Sequence, residues 1–128
     1  MKSVAIAILN WNGENLLKRF LKEVVDNSPE ANVYLIDNAS KDESVNYVKK
    51  HNPRVNILLL DKNYGYAGGY NRGIASLKED IICLLNNDVL VKPNWLPPIL
   101  DHFEKHLQTA IAQPHICLLY TSPSPRDR

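Results

Sequence analysis

The chain has 128 residues, enough for one domain with a moderate core. Lys plus Arg number 15 against 14 Asp plus Glu, and the resulting net charge of +1 gives no support to a nucleic-acid surface or a polybasic membrane anchor. At 45% hydrophobic residues the chain is globular rather than disordered, and its longest apolar runs fall well short of the ~20 residues of a membrane span.

Val4–Leu9 is a short apolar run ending at Asn10-Trp11-Asn12-Gly13, a strand followed by a loop. It starts directly after Met1-Lys2-Ser3 without a signal-peptide pattern, and two cysteines make no disulfide framework, so a reducing cytoplasm is expected. From Glu14 to Asp26 the period changes: Leu16, Leu17, Phe20, Leu21, Val24 and Val25 form a helical stripe, stopped by Asn27-Ser28-Pro29. Val33–Ile36 is a second buried strand, ending at Asp37-Asn38-Ala39-Ser40. A helix over Lys41–Lys50 follows, with Asp42 and Glu43 in its first turn and Lys49 and Lys50 in its last, as the helix dipole favours. Val55–Leu60 is the third strand, ending at Asp61. A glycine-rich loop over residues 62–73 then runs into a helix ending near Leu77. Ile81–Leu85 reads as a fourth strand, buried on both faces, that stops at Asn86-Asn87-Asp88. After a short extended exit over Val89–Val91, Pro93 and Pro97-Pro98 mark the opening of a helix that carries Ile99, Leu100, Phe103 and Leu107 inward. Ala110-Ile111-Ala112 resembles the start of a further strand.

This alternation predicts an α/β fold: a mostly parallel sheet with helices on both faces. Residues 1–116 form the folded unit. Residues 117–128 are rich in Ser and Pro, lack any period and are similar to one reading frame of a sequencing adapter. They are expected to be a non-native, disordered tail, so that the natural protein is cut short near Ile116 and the bare sheet favours self-association.

The chemistry gathers where the strands end. Asn10, Asp37, Asp61 and Asn86-Asn87-Asp88 each close a strand, and in a parallel sheet those ends share one rim, where ligands bind. A single such ending is ordinary turn chemistry; several on one edge suggest a polar ligand. The glycine-rich segment adds backbone N–H groups at a helix start, suited to phosphate, and Gly68 and Gly69 would let a diphosphate or sugar approach the main chain. No Gly-Lys-Ser/Thr follows, and the glycine spacing is wrong for a dinucleotide fingerprint. A carboxylate beside amides at a strand end suits a hard divalent cation bridging phosphate oxygens.

Four segments, Ile8–Gly13, Ile36–Asp42, Asn63–Gly73 and Leu85–Val89, together resemble family 2 glycosyltransferases of the GT-A fold, in the rhamnosyltransferase-like bacterial group. The resemblance runs from about Val4 to Ile116 and implies a nucleotide-sugar-binding half-domain with strand order 3-2-1-4. It further implies that Asn10 and Asn12 line the nucleotide site, that Asp37 and Asn38 contact base or ribose, and that Asp42 sets the neighbouring loop. Asn63, Gly65, Gly69 and Asn71 would border ribose and diphosphate, with Asn87 beside them. Asp88 and Asn86 would hold Mn²⁺ or Mg²⁺ at the family's Asp-x-Asp motif, whose first position here is the neutral Asn86, so that one anionic ligand is lost. The implied partners are a nucleotide-sugar donor and a glycan or lipid-linked acceptor, with inversion by an Asp base expected beyond Ile116. The full-length enzyme would be cytoplasmic, or peripheral at the inner face of the membrane, and the present chain inactive.

Blander readings stand beside these. Asp37 is also a turn residue, and Trp11 and Trp95 read as packing residues rather than sugar platforms. His102 and His106 have zinc-site spacing but read as an exposed helix face, and Cys83 reads as a buried small hydrophobe. Tyr64, Tyr66 and Tyr70 either border the sugar or close the loop; Arg72 either meets a phosphate or is solvated. The rival functions are a non-catalytic nucleotide-binding module and a nucleotidyltransferase. The latter would need a basic glycine-rich loop where Asn10-Trp11-Asn12-Gly13 stands.

Overall fold

The computed structural model describes residues 2–105. Its elements are β1 (Val4–Asn10), α1 (Glu14–Asp26), β2 (Asn32–Asp37), α2 (Ser44–His51), β3 (Asn56–Leu59), α3 (Gly65–Ile74), β4 (Ile81–Leu85) and α4 (Pro97–Lys105). The expected strand at Ala110–Ala112, Leu107, His106 and the 117–128 tail lie outside the described residues. All strand pairs are parallel and the order is β3-β2-β1-β4, as expected.

Alternation along β1 splits the core in two. Ile6 and Ile8 point to the face covered by Leu17, Leu21 and Val24 of α1 and Val48 of α2. Ala7 and Leu9 point to the face covered by α3 through Tyr70 and Ile74. The two faces differ in depth. A Cβ on Gly73 would lie 2.3 Å from Ile36 Cδ1, and one on Gly69 would lie 2.7 Å from both Leu9 Cδ1 and Asn38 Nδ2. Glycines therefore let α3 sit close on the sheet, and a methyl group there would cost about 1–3 kcal/mol in overpacking.

Close packing corrects one expectation. The glycine-rich segment is largely helix from Gly65 onward, and the approach Gly69 permits is that of the sheet, not of a ligand. The helix stops at Ile74, short of Leu77, and a tighter turn continues it through the Leu77 N–H to the Ile74 carbonyl at 2.9 Å.

Three other expectations shift. β4 is an edge strand among the described residues, half-buried with Leu84 51% exposed, because its one neighbour is β1. Leu59 on β3, the opposite edge, is exposed for the same reason. The second helix opens at Ser44, not Lys41, because the Asp42 carboxylate accepts the Ser44 N–H and hydroxyl and so holds residues 42–43 outside the first turn. Its basic last turn, Lys49-Lys50-His51, stands as read. Finally, Ile99, Leu100 and Phe103 of α4 are only half-buried; Leu96 and Val91, just before that helix, fill the core instead.

Candidate functional site

β1 stops at Asn10 beside Asp37, its partner in register on β2. Both side chains are buried, and an unpartnered carboxylate there would cost several kcal/mol. The rim supplies partners. Asp37 Oδ1 accepts Asn10 Nδ2 at 3.0 Å and the Ser40 hydroxyl at 2.7 Å, while its Oδ2 accepts the Ser40 N–H at 2.9 Å. Ser40 is the hub: its Oγ also accepts Asn10 Nδ2 at 3.2 Å and the Asn12 N–H at 2.8 Å. Asn12 returns the link by accepting the Lys41 N–H at 2.7 Å. Asn87, at the end of β4, donates to Asn10 Oδ1 at 3.4 Å. Three strand ends thus meet in one network.

Backbone strain accompanies it. Asn12 (φ 52°) and Ala39 (φ 61°) are in the left-handed region, where an alanine costs of order 1 kcal/mol. Gly13 leaves space for the network: a Cβ there would stand 2.5 Å from both Asn10 Oδ1 and Asn87 Nδ2. Below it, the Asp42 carboxylate accepts the Glu14 N–H at 3.1 Å, joining the starts of α1 and α2. Burial pushes Asp42 up, but hydrogen bonds from Ser44 and the Glu14 N–H outweigh it and hold the carboxyl below its ordinary range.

The start of α3 is tied to the same rim. Asn38 accepts the Tyr64 N–H at 3.0 Å and donates to the Gly65 carbonyl at 2.9 Å, so its buried amide is occupied by protein. Asn63 accepts the Gly65 N–H at 2.8 Å, and Gly65 itself has φ 78°. The N–H groups of Tyr64 and Gly65, read as phosphate donors, are therefore already taken. Asn71 is exposed and, at 1.5 Å per residue, roughly 9 Å along α3 from Gly65. Asp61 does not join the network: it accepts the Tyr64 hydroxyl at 2.5 Å, and that bond first of all holds its carboxyl low. Arg72 stacks on the Tyr64 ring, 3.6 Å from its centroid, which settles it as a stacking residue.

The exposed polar groups of this rim lie at the end of β4. Asp88 and Asn86 are exposed, and no hydrogen bond holds the Asp88 carboxylate among the described residues. Asn86 Oδ1 accepts the Tyr66 hydroxyl at 3.2 Å. Tyr70 is buried, and its hydroxyl donates to the Leu85 carbonyl at 3.0 Å and accepts the Leu9 N–H at 3.4 Å, where the β1–β4 ladder ends. Burial first of all pushes that phenol up to about 12. Trp11, expected to pack, is 55% exposed beside this rim. Trp95 does pack, with Nε1 donating to Ser28 Oγ at 2.8 Å. Ser40, Gly13 and Tyr70 were not individually legible as site residues. Ser40 alone had a signal, its three-residue spacing from Asp37, which suits a side-chain-capped turn.

No group of three or more His, Cys, Asp or Glu is placed to hold a metal among the described residues. Asp88 is a single anionic donor, and it fits a divalent cation only where diphosphate oxygens complete the shell.

A four-stranded parallel sheet in this order, with polar strand ends meeting beside β4, is the arrangement shared with structures of the GT-A glycosyltransferase fold. The profile of glycosyl transferase family 2 matches residues 3–124, and the chain belongs to that family. N-acetylgalactosaminyltransferase 6 of Drosophila melanogaster is 23% identical over 120 residues, covering 87% of this chain and 18% of the relative. Undecaprenyl-phosphate 4-deoxy-4-formamido-L-arabinose transferase of Edwardsiella ictaluri is 24% identical over 106 residues, covering 77% of this chain and 33% of the relative. Among solved structures, Staphylococcus aureus TarS 1-349 with UDP-GlcNAc superposes with a TM-score of 0.72 at 16% identity, over 82% of this chain and 32% of that one. Mannosyltransferase PcManGT from Pyrobaculum calidifontis, with GDP-Man and Mn²⁺, superposes with a TM-score of 0.67 at 17% identity, over 85% and 33%. The chain therefore spans a third or less of the length of these proteins.

Proposed function

We propose that this chain is the donor-binding part of an inverting glycosyltransferase of the rhamnosyltransferase-like bacterial group. The whole enzyme would move a sugar from a nucleotide diphosphate sugar to a glycan or lipid-linked acceptor. One observation carries this reading: the exposed Asp88 and Asn86 stand next to the buried Asn10–Asp37–Ser40 network, in the crevice between β1 and β4. In open α/β sheets ligands lie in that crevice, where the strand order reverses. Two similar structures hold nucleotide sugars, one of them with Mn²⁺, and one relative is named for undecaprenyl phosphate.

In this reading Asn10, Asn12, Asp37, Asn38 and Asp42 shape the pocket through the rim network, while Asn63, Gly65, Gly69 and Asn71 set the α3 side. Asp88 would hold Mn²⁺ or Mg²⁺, which when bound neutralises charge on the departing diphosphate. The general base would come from beyond Ile116, with the acceptor site in the enzyme's other half, so the chain would bind donor without transferring sugar. No helix among the described residues is long and apolar enough to cross a membrane.

Calorimetry with UDP, GDP and dTDP sugars, with and without Mn²⁺, tests this. At least one donor should bind, and Asp88→Ala should weaken binding in Mn²⁺ by about tenfold or more. Binding of none, or binding indifferent to Asp88→Ala, would overturn it.

A further inference from the structure

We propose that Tyr66 is a positioning residue that turns the Asn86 carboxamide so that it offers N–H donors, not an oxygen ligand, to the donor site. This rests on the donor-site reading above and divides labour within the Asn86-Asn87-Asp88 turn.

Tyr66 and Tyr70 lie one turn apart on α3, on the same face. Their rings meet edge-on, with centroids 5.0 Å apart and planes at 74°. Tyr70 is buried and its hydroxyl is fixed by the Leu85 carbonyl and the Leu9 N–H. Tyr66 leans on that anchored ring and donates to Asn86 Oδ1 at 3.2 Å. One helix thus secures two consecutive residues at the end of β4, the main chain of Leu85 and the side chain of Asn86.

Burial does not explain Tyr66, which is 64% exposed. What its hydroxyl fixes is orientation. A carboxamide whose oxygen is engaged presents Nδ2, a pair of donors suited to phosphate or hydroxyl oxygens and unsuited to a cation. Asn87 is turned the other way, its Nδ2 directed inward to Asn10. Asp88 remains as the one carboxylate of the turn, and the metal ligand assigned to Asn86 from sequence passes to Asp88 alone.

The test uses the 128-residue chain with UDP and GDP as probes, titrated calorimetrically without metal. Mn²⁺ affinity is read separately, with UDP held at saturation for each variant, from paramagnetic broadening of the residue 86–88 amide signals. Tyr66→Phe and Asn86→Ala should each weaken nucleotide binding by about three- to tenfold, and the double variant should be no weaker than Asn86→Ala. Mn²⁺ affinity should be unchanged in all three and lost in Asp88→Ala. Asn86→Asp should make nucleotide binding depend on Mn²⁺, since it sets a second carboxylate against the diphosphate. Additive losses, or Mn²⁺ affinity that falls with Asn86→Ala, would overturn the proposal. If neither nucleotide binds, the donor-site reading fails. Side-chain ¹⁵N relaxation of Asn86 then decides the positioning role without ligand: Tyr66→Phe must raise its mobility, and unchanged mobility would sink it.

Discussion

The two ends of the sheet are both closed by carboxylates, and they are built on opposite principles. At the amino end, Asp80 accepts the Ser3 N–H at 3.0 Å and returns its own N–H to Ser3 Oγ at 2.9 Å. Glu79 gathers the Tyr34 hydroxyl at 2.6 Å and Asn32 Nδ2 at 2.9 Å. These clasps are near water, which competes for every bond in them. At the carboxyl end Asp37 is 3% exposed, wholly surrounded by amide and hydroxyl donors, with left-handed Asn12 and Ala39 in the flanking loops. A buried, strained polar network is costly to assemble. It belongs where geometry must be held for a ligand rather than where a loop only has to be fastened.

Substitutions that break the contrast should rank accordingly. Asp37→Ala removes the acceptor of both Ser40 donors and leaves Asn10 Nδ2 only its longer bond to Ser40 Oγ, and should cost about 3 kcal/mol in urea unfolding. A loss within the range of an ordinary surface substitution, about 0.5 kcal/mol, would erase the difference between the two ends. Gly13→Ala forces a methyl group between Asn10 and Asn87 and should cost about 2 kcal/mol, with amide shift changes that reach the end of β4.

Acid should produce the smallest effect, and at both ends. The Ser3 N–H first of all holds Asp80 low. For Glu79 burial pushes up, but the Tyr34 and Asn32 hydrogen bonds prevail and lower it, as hydrogen bonds do for Asp42. A depressed carboxyl stabilises fully above its unfolded value near 4 and loses that contribution as pH falls through the folded one. The unfolding midpoint should therefore be flat from about pH 8 to pH 5 and drop below about pH 4. Asp80→Asn should flatten that slope slightly while leaving nucleotide affinity unchanged; a change in affinity would join the two ends functionally.

Four strands and their shared rim were legible because apolar runs of strand length ended in Asn or Asp, a pattern that local propensity and burial both enforce, whereas the strand order came from the family resemblance. The first helix was legible to the residue, Glu14–Asp26, because its stripe and its stop signal agree. The glycine-rich segment misled because glycine marks loops in general, whereas here the tight fit of Gly69 and Gly73 on Leu9 and Ile36 favours a helix. The partial exposure of β4 was hidden because an apolar run reads alike whether both its faces are covered or not. Within the site, Asp37 and Asp88 stood out by position. Tyr66 and Tyr70 did not, since their partners on β4 are fixed only by how α3 lies across the sheet.

That close seating of α3 makes the helix behave as a stiff lever. Gly73 seats on Ile36, about two helical turns from Tyr66, which meets β4. A single added methyl at that contact would shift the helix, and both phenols would lose their partners on β4. The set of the β4 end thus depends on a glycine packed against another strand.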